Sequence, residues 1–334
     1  MEPSGKNYKI MGIFGTGRSG SSWLGSIMDS HPQVAYRFEP FHRAKQHHPP
    51  LYEMVQRLKS EQLQEADLSA VYEALLPAHP KLERPPFFPK DHALTWGKSW
   101  LRPLALRFNF LSPVFQKLYT ARRRNPSLVF KEVNMERVMI NLLARTSVPI
   151  IYLVRHPCAV VASNVRGQKQ GVMFDKRHSI LKKVLEKRDD ELAERYRPQL
   201  EHLDGLEKEA LLWRIDVEKS LSATQNHENA LIIIYEKLCD DPHGVSKQAF
   251  QHFGLNFSEQ TTHYLNSLTQ TGPQRSRWFW GEFGLNPYFS VARNPAEMKE
   301  KWKQKMSSAD RQRILTIVQD SPAFQFGARV GGWD

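Results

Sequence analysis

The stretch Ile10-Met-Gly-Ile-Phe-Gly-Thr-Gly-Arg-Ser-Gly-Ser-Ser-Trp-Leu-Gly25 constrains this 334-residue chain more than any other. Ile10 to Phe14 is an apolar run bounded by glycine, the pattern of a short buried strand, and Ser21 to Asp29 carries the apolar spacing of an amphipathic helix. A strand, a tight turn and a helix start therefore follow one another. Gly15, Gly17 and Gly20 let the backbone bend and approach a ligand closely, and the helix start leaves free N–H groups beside them. That combination favours phosphate or sulfate. The same turn without a ligand would be a purely structural strand-to-helix connection.

The nucleoside-triphosphate loop G-x-x-x-x-G-K-[ST] has its glycine spacing here in Gly15 and Gly20, but Ser21 stands where the lysine belongs. The nearest cation is Arg18, inside the turn, followed by Ser19, Gly20, Ser21, Ser22 and Trp23. Arg-Ser-Gly-Ser-Ser before an aromatic resembles the 5′-phosphosulfate loop of sulfotransferases that use 3′-phosphoadenosine 5′-phosphosulfate (PAPS), the carbohydrate sulfotransferases above all. The resemblance implies that Gly17 through Trp23 hold the donor.

Forty per cent hydrophobic residues, 25% charged residues and no apolar run of membrane-spanning length point to a soluble globular chain. The polar start, Met1 to Lys9, leads straight into the first strand, so a cytoplasmic protein is expected. A net charge of +12 asks for an anionic partner. The cations are scattered and no nucleic-acid-binding motif occurs, so a dianionic nucleotide and an acidic acceptor, or simply a solvated surface, account for the charge, and no nucleic-acid or membrane partner is expected. Neither Cys158 and Cys239 nor His42, His47 and His48 have metal-ligand spacing, and no metal is expected.

Beyond the first helix, His31-Pro32 stops the helix and Val34 to Phe38 alternates as a second strand, ending on Glu39-Pro40. A carboxylate there lies near the anion loop. By resemblance, Glu39 corresponds to the glutamate that serves carbohydrate sulfotransferases as catalytic base, and His42 is the reserve. From Ala44 to Asn125 the strand signal disappears. That segment reads as a largely helical insertion, with one helical stretch from Tyr52 to Leu76, and its many aromatics read as small-subdomain core. Lys131 and Glu132 fall near the site without an assigned role.

Strand and helix then alternate: Leu128 to Val133, Met135 to Arg145, Pro149 to Val154, Leu206 to Thr224 and Ala230 to Tyr235, the signature of a parallel sheet. Arg155 leaves the carboxyl end of the Pro149 to Val154 strand, and Ser163 follows two helical turns later on the same side. A guanidinium fork and a hydroxyl suit a terminal phosphate. The strand-Arg-His-Pro-helix-Ser order also resembles the 3′-phosphate site of the PAPS enzymes, and Tyr235-Glu-x-Leu-x-x-Asp-Pro resembles their scaffold. Ser290-x-x-Arg293-Asn before a Trp-bearing helix resembles the carbohydrate sulfotransferase C-terminus, which makes Arg293 a third phosphate ligand. A final helix, Ser307 to Val318, precedes a short tail.

The reading is one α/β domain across residues 1–334, P-loop-like and three-layered, with a central parallel sheet flanked by helices and a helical insertion at about 44–125. The resemblance implies a sulfotransferase that moves the PAPS sulfuryl group in line to a hydroxyl of a saccharide or small molecule. Glu39 and Arg18 are its catalytic residues, with His42 in reserve. An atypical P-loop kinase or NTPase and a noncatalytic polyanion-binding protein are the alternatives, separated by magnesium dependence and by steeply salt-dependent binding without turnover.

Overall fold

A computed structural model describes residues 9–47, 49–60, 62–122, 124–171, 178–269 and 295–333. Five parallel strands form one sheet: β1 (Ile10–Gly15), β2 (Val34–Phe38), β3 (Ser127–Lys131), β4 (Ile150–Val154) and β5 (Ala230–Ile234), in the order β2-β3-β1-β4-β5. In register, Gly12 of β1 lies between Phe130 of β3 and Ile150 of β4. Alternation along each strand splits the apolar residues between two cores. Phe14, Phe130, Tyr152 and Val154 face one side, and Met11, Ile13, Val129 and Leu153 face the other. Burial on both faces explains why these strands read as continuous apolar runs.

Helix α1 (Ser21–Asp29) covers the second face. Between β2 and β3 come α2 (Pro40–His47), α3 (Pro49–Leu58), α4 (Asp67–Leu75), α5 (Lys98–Arg107) and α6 (Ser112–Tyr119). Then follow α7 (Glu136–Arg145), α8 (Pro157–Lys169), α9 (His178–Glu186), α10 (Glu191–Tyr196) and α11 (Gly205–Thr224). After β5 come α12 (Tyr235–Asp240), α13 (Pro242–His252), α14 (Glu259–Thr269), α15 (Pro295–Glu300), α16 (Ser308–Val318) and α17 (Pro322–Gly331). Residues of α3, α4, α7, α8, α11 and α16 fill the first core, and those of α1, α13 and α14 fill the second. The helix-sheet-helix layering expected from the sequence is therefore present.

Caps mark several of the boundaries that the sequence signals. The His156 side chain accepts from Cys158 N with Pro157 in the first turn of α8, and the Asp241 side chain accepts from Gly244 N ahead of Pro242 in α13. The expected helix from Tyr52 to Leu76 is two helices, because α3 ends at Leu58 and α4 starts only at Asp67, whose side chain accepts from Gln64 N. The expected short tail is helical as well. Ser321 caps α17 through Phe324 N, and this helix packs on the first core through Ala323.

The aromatics between β2 and β3 divide in a way periodicity does not reveal. Phe88 joins the second core and Phe115 and Tyr119 pack with Ala78 and Ala105, as core packing requires. Trp96, Trp100, Phe108 and Phe110 do not: all are exposed.

Candidate active site

The site begins where β1 runs into α1. Gly20 takes φ 98°, and a Cβ there would lie 2.2 Å from the Tyr235 ring, so both conformation and space demand glycine. Arg18 also has positive φ, at 70°. The turn is held from within by Ser19 N donating to Thr16 O at 3.2 Å, and from the segment after β3 by Gly17 N donating to Asn134 Oδ1 at 3.0 Å. No side chain caps α1, so its first amides remain for an external acceptor. Ser19 is fully buried with its Oγ lacking a hydrogen-bond partner, Ser21 is buried and Ser22 half-buried. Trp23 is buried beneath the turn and meets Tyr235 edge-on at 5.9 Å.

From β1 the chain crosses to β2 and β3 on one side, then to β4 and β5 on the other. The crevice at the carboxyl ends of β1 and β4 is thus the point where strand order reverses, where ligands of open α/β sheets bind. Arg155 emerges there. Its guanidinium stacks over the Tyr235 ring at 4.2 Å, donates from Nη1 to Arg18 O at 3.2 Å and from Nη2 to Met298 O at 3.0 Å, and keeps Nε buried without a partner. Trp213 Nε1 donates to the Arg155 carbonyl at 3.2 Å. Arg18 Nε donates to Ser163 Oγ at 2.9 Å, so the two sequence motifs touch.

A cleft of about 640 Å³ opens from these three residues, with Arg166 and Lys169 on one wall and Lys301, Lys305 and Arg313 on the other. Seven Lys and Arg line it against two Asp, a balance suited to a multiply charged anion. The far wall is fixed by Trp302, which stacks on His156 at 4.6 Å. Buried Glu236 accepts from His156 N at 3.1 Å and Trp333 Nε1 at 3.0 Å, which gives the Tyr235-Glu236 dipeptide its structural purpose.

Glu39 does not line this cleft. It follows β2, two strands from β1 and so about 10 Å across the sheet. It is not in extended geometry as the sequence suggests: Glu39 has φ 49°, and Pro40 starts α2 rather than a loop. Such a backbone costs roughly 1–3 kcal/mol, and Glu39 N donating to Lys131 O at 2.8 Å helps to hold it. Glu39 Oε1 accepts from Lys131 Nζ at 2.5 Å, while Nζ also sits 4.4 Å from the Phe38 ring centroid. Burial would raise the Glu39 carboxyl. The charge and hydrogen bond of Lys131, joined by His42 and Arg43, outweigh it and hold the pKa below its usual value.

His42 forms a second pair: its Nδ1 lies 2.7 Å from Glu132 Oε2, and Glu132 Oε1 accepts from Phe41 N at 2.6 Å. Burial works to lower the His42 pKa, but the hydrogen bond and charge of Glu132 overcome it and raise it; burial raises that of Glu132. The two share a proton more tightly than either would hold alone. With Nδ1 facing the carboxylate, Nε2 is the ring nitrogen left for other chemistry.

A model of the Sulfotransferase family matches residues 12–259. This chain belongs to that family. The match spans the anion loop, Glu39, Arg155, Ser163 and Tyr235, and the protein is a sulfotransferase enzyme. No curated protein matches the chain. Among solved structures it is similar to the sulfotransferase domain of the Synechococcus PCC 7002 olefin synthase (16% identity, 100% of this chain and 98% of that one, TM-score 0.46). It is also similar to sulfotransferase STF9 of Mycobacterium avium (15%, 93% and 76%, 0.42) and to mouse sulfotransferase SULT7A1 complexed with PAP (11%, 97% and 89%, 0.43).

Within this sulfotransferase, the residues read from the sequence fall into two groups. Gly17 to Trp23, Arg155 and Ser163 meet at the strand-order reversal, whereas Glu39, which follows β2, and His42 in α2 pair with Lys131 and Glu132 at the end of β3. Arg293 lies outside the described residues. Sequence reasoning left Lys131 and Glu132 without roles and missed Asn134, Lys301, Lys305 and Arg313. Asn134, which takes φ 53° just beyond β3, carries a usable signal: asparagine at a strand end is suited to that backbone and points a polar group toward the anion loop. The three cations carry none, because lysine and arginine on an ordinary helix surface look the same in sequence.

Proposed function

We propose that this sulfotransferase uses PAPS as donor and transfers its sulfuryl group to a hydroxyl of a saccharide or other small acceptor. The observation that carries this reading is the meeting of Arg18, Arg155 and Ser163 at the mouth of a strongly cationic cleft. The unpartnered Ser19 Oγ and Arg155 Nε suit an anionic group as well. Arg155 and Ser163 would hold the 3′-phosphate, and Arg18 with the amides of Gly20, Ser21 and Ser22 at the start of α1 the 5′-phosphosulfate; Arg293 remains a third phosphate ligand by resemblance.

When bound, PAPS supplies the activated sulfuryl group. Glu39 accepts the proton of the acceptor hydroxyl, kept ionised and in place by Lys131. Arg18 and the first amides of α1 balance charge developing on the bridging phosphate oxygen. His42, backed by Glu132, is the second candidate for the base. The mechanism assigns no step to a metal.

Titration calorimetry with adenosine 3′,5′-bisphosphate, AMP and ATP tests the donor. The bisphosphate should bind far more tightly than AMP, and without magnesium. Equal affinities, or a magnesium-dependent preference for ATP, would overturn the reading in favour of a kinase-like enzyme.

A further inference from the structure

Nine large apolar side chains are exposed between Leu94 and Leu118, and among the described residues only Val330 is exposed elsewhere. Trp96, Trp100 and Phe110 are 86%, 77% and 74% exposed. Trp100 and Phe110 belong to the hairpin of α5 and α6, and Trp96 lies just before it. A short turn, Asn109–Leu111, joins the two helices; Phe110 in it and Phe108 just before it have ring centroids 6.0 Å apart. The inner face of the hairpin is satisfied separately: Ala105, Phe115 and Tyr119 pack with Ala78, and Tyr119 donates to Trp96 O. The outer apolar residues are therefore surplus to folding. A concentrated patch of this kind marks an interaction surface.

Charge decides what it meets. From His92 to Lys131 the chain has eight Lys or Arg and no Asp or Glu. Arg107 and Lys117 on the hairpin and Arg122 just after it are exposed, and among the described residues no carboxylate pairs with them. Indole and phenyl groups ringed by cations, with acidic residues excluded, are the composition of a segment that lies in a membrane interface and draws toward anionic headgroups. No described helix is long and apolar enough to cross a bilayer, which is consistent with a surface position.

We propose that the α5–α6 hairpin docks this enzyme on an anionic lipid surface, with Trp100, Phe108 and Phe110 entering the interface and Arg107, Lys117 and Arg122 against the headgroups. The proposal departs from the expectation of no membrane partner. The hairpin's base reaches the site scaffold: Lys98 pairs with Glu83, Arg102 Nε donates to Glu83 O at 2.9 Å, and Glu83 Oε1 pairs at 3.0 Å with Arg37, two residues before Glu39. Docking would place the catalytic end of the sheet close to the bilayer.

Sedimentation of the full chain with vesicles tests this independently of the donor assignment, since bisphosphate binding is measured in parallel. The protein should pellet with equimolar phosphatidylcholine and phosphatidylglycerol, its tryptophan emission shifting to the blue, and should bind pure phosphatidylcholine about 10-fold or more weakly, since each surface cation is worth roughly fivefold. The double variant Trp100→Ser, Phe110→Ser should lose about 10-fold or more in vesicle partition while retaining bisphosphate affinity. The pair Arg107→Gln and Lys117→Gln should weaken the preference for anionic lipid about 10-fold or more, leaving the share of Arg122. Failure to pellet, or unchanged partition by the double variant, would overturn the proposal. So would a dimer that the double variant dissociates, which would make this face a contact between copies of the chain.

Discussion

Arg18 Nε donates to Ser163 Oγ at 2.9 Å, and Arg155 holds the carbonyl of the same Arg18 at 3.2 Å. A single arginine inside the β1–α1 turn is thus gripped, through side chain and main chain, by the segment after β4. The two halves of the anion site are mechanically coupled, and a change on either side should be felt on the other.

Arg18→Ala should lower turnover by roughly 10²–10³-fold, the usual effect of removing one preorganised donor, with a smaller loss of bisphosphate affinity. Steady-state kinetics beside calorimetry separates the two quantities. Ser163→Ala should show the coupling by weakening bisphosphate binding and slowing turnover together, although the hydroxyl lies outside the turn. A loss of affinity alone in Arg18→Ala would make the residue a binding group.

Arg155→Ala should lose roughly 1.5–3 kcal/mol of bisphosphate binding, the worth of hydrogen bonds to a charged group, and should erase the preference over AMP. Some loss of Tm should accompany it, because the guanidinium also ties Arg18 O and Met298 O together over Tyr235. AMP affinity should change much less, and the comparison of the two nucleotides is the diagnostic.

Glu39→Gln keeps the shape and removes the basicity. It should leave bisphosphate binding nearly unchanged and cut kcat by about 10²-fold or more. The pH profile offers a second test. A base held below the ordinary carboxylate value of 4.5 leaves kcat flat through neutral pH, falling only in strong acid. If His42 were the base, its raised pKa would place the acid limb above 6.5. An active Glu39→Gln variant together with an inactive His42→Ala variant would transfer the role to His42.

The His42–Glu132 pair also predicts a pH-dependent stability. A histidine whose folded pKa lies above its unfolded value of about 6.5 stabilises fully below that value, and the gain disappears as pH rises through the folded pKa. The Tm difference between wild type and His42→Gln should therefore be larger at mildly acidic pH and shrink at alkaline pH. A difference that grows with pH would contradict the assignment.

Gly20→Ala should be severe although it adds one methyl group. The Cβ would enter the Tyr235 ring at 2.2 Å, and φ 98° suits no other residue. A loss of roughly 1–3 kcal/mol in stability and a marked loss of bisphosphate binding are expected, read by thermal melts and calorimetry.

The sequence by itself determined the local pieces. Apolar runs made strands, glycines between β1 and α1 made the turn, prolines and Asp241 opened helices, and Arg155 with Ser163 could be placed on one side because helical spacing is fixed by local geometry. Parallel order followed from strand-helix alternation, which leaves few topologies. Only the tertiary structure decided which side chains meet. That Arg18 turns to Ser163, that Glu39 is held by Lys131 and His42 by Glu132, and that Lys301, Lys305 and Arg313 face the cationic cleft depend on strand order and on helices distant in sequence. The same limit hid the fate of the aromatics between β2 and β3: Phe115 and Phe110 have the same composition signal, yet one is fully buried and the other open to solvent. Periodicity records that a face is apolar, and only the neighbours supplied by the fold decide whether anything covers it.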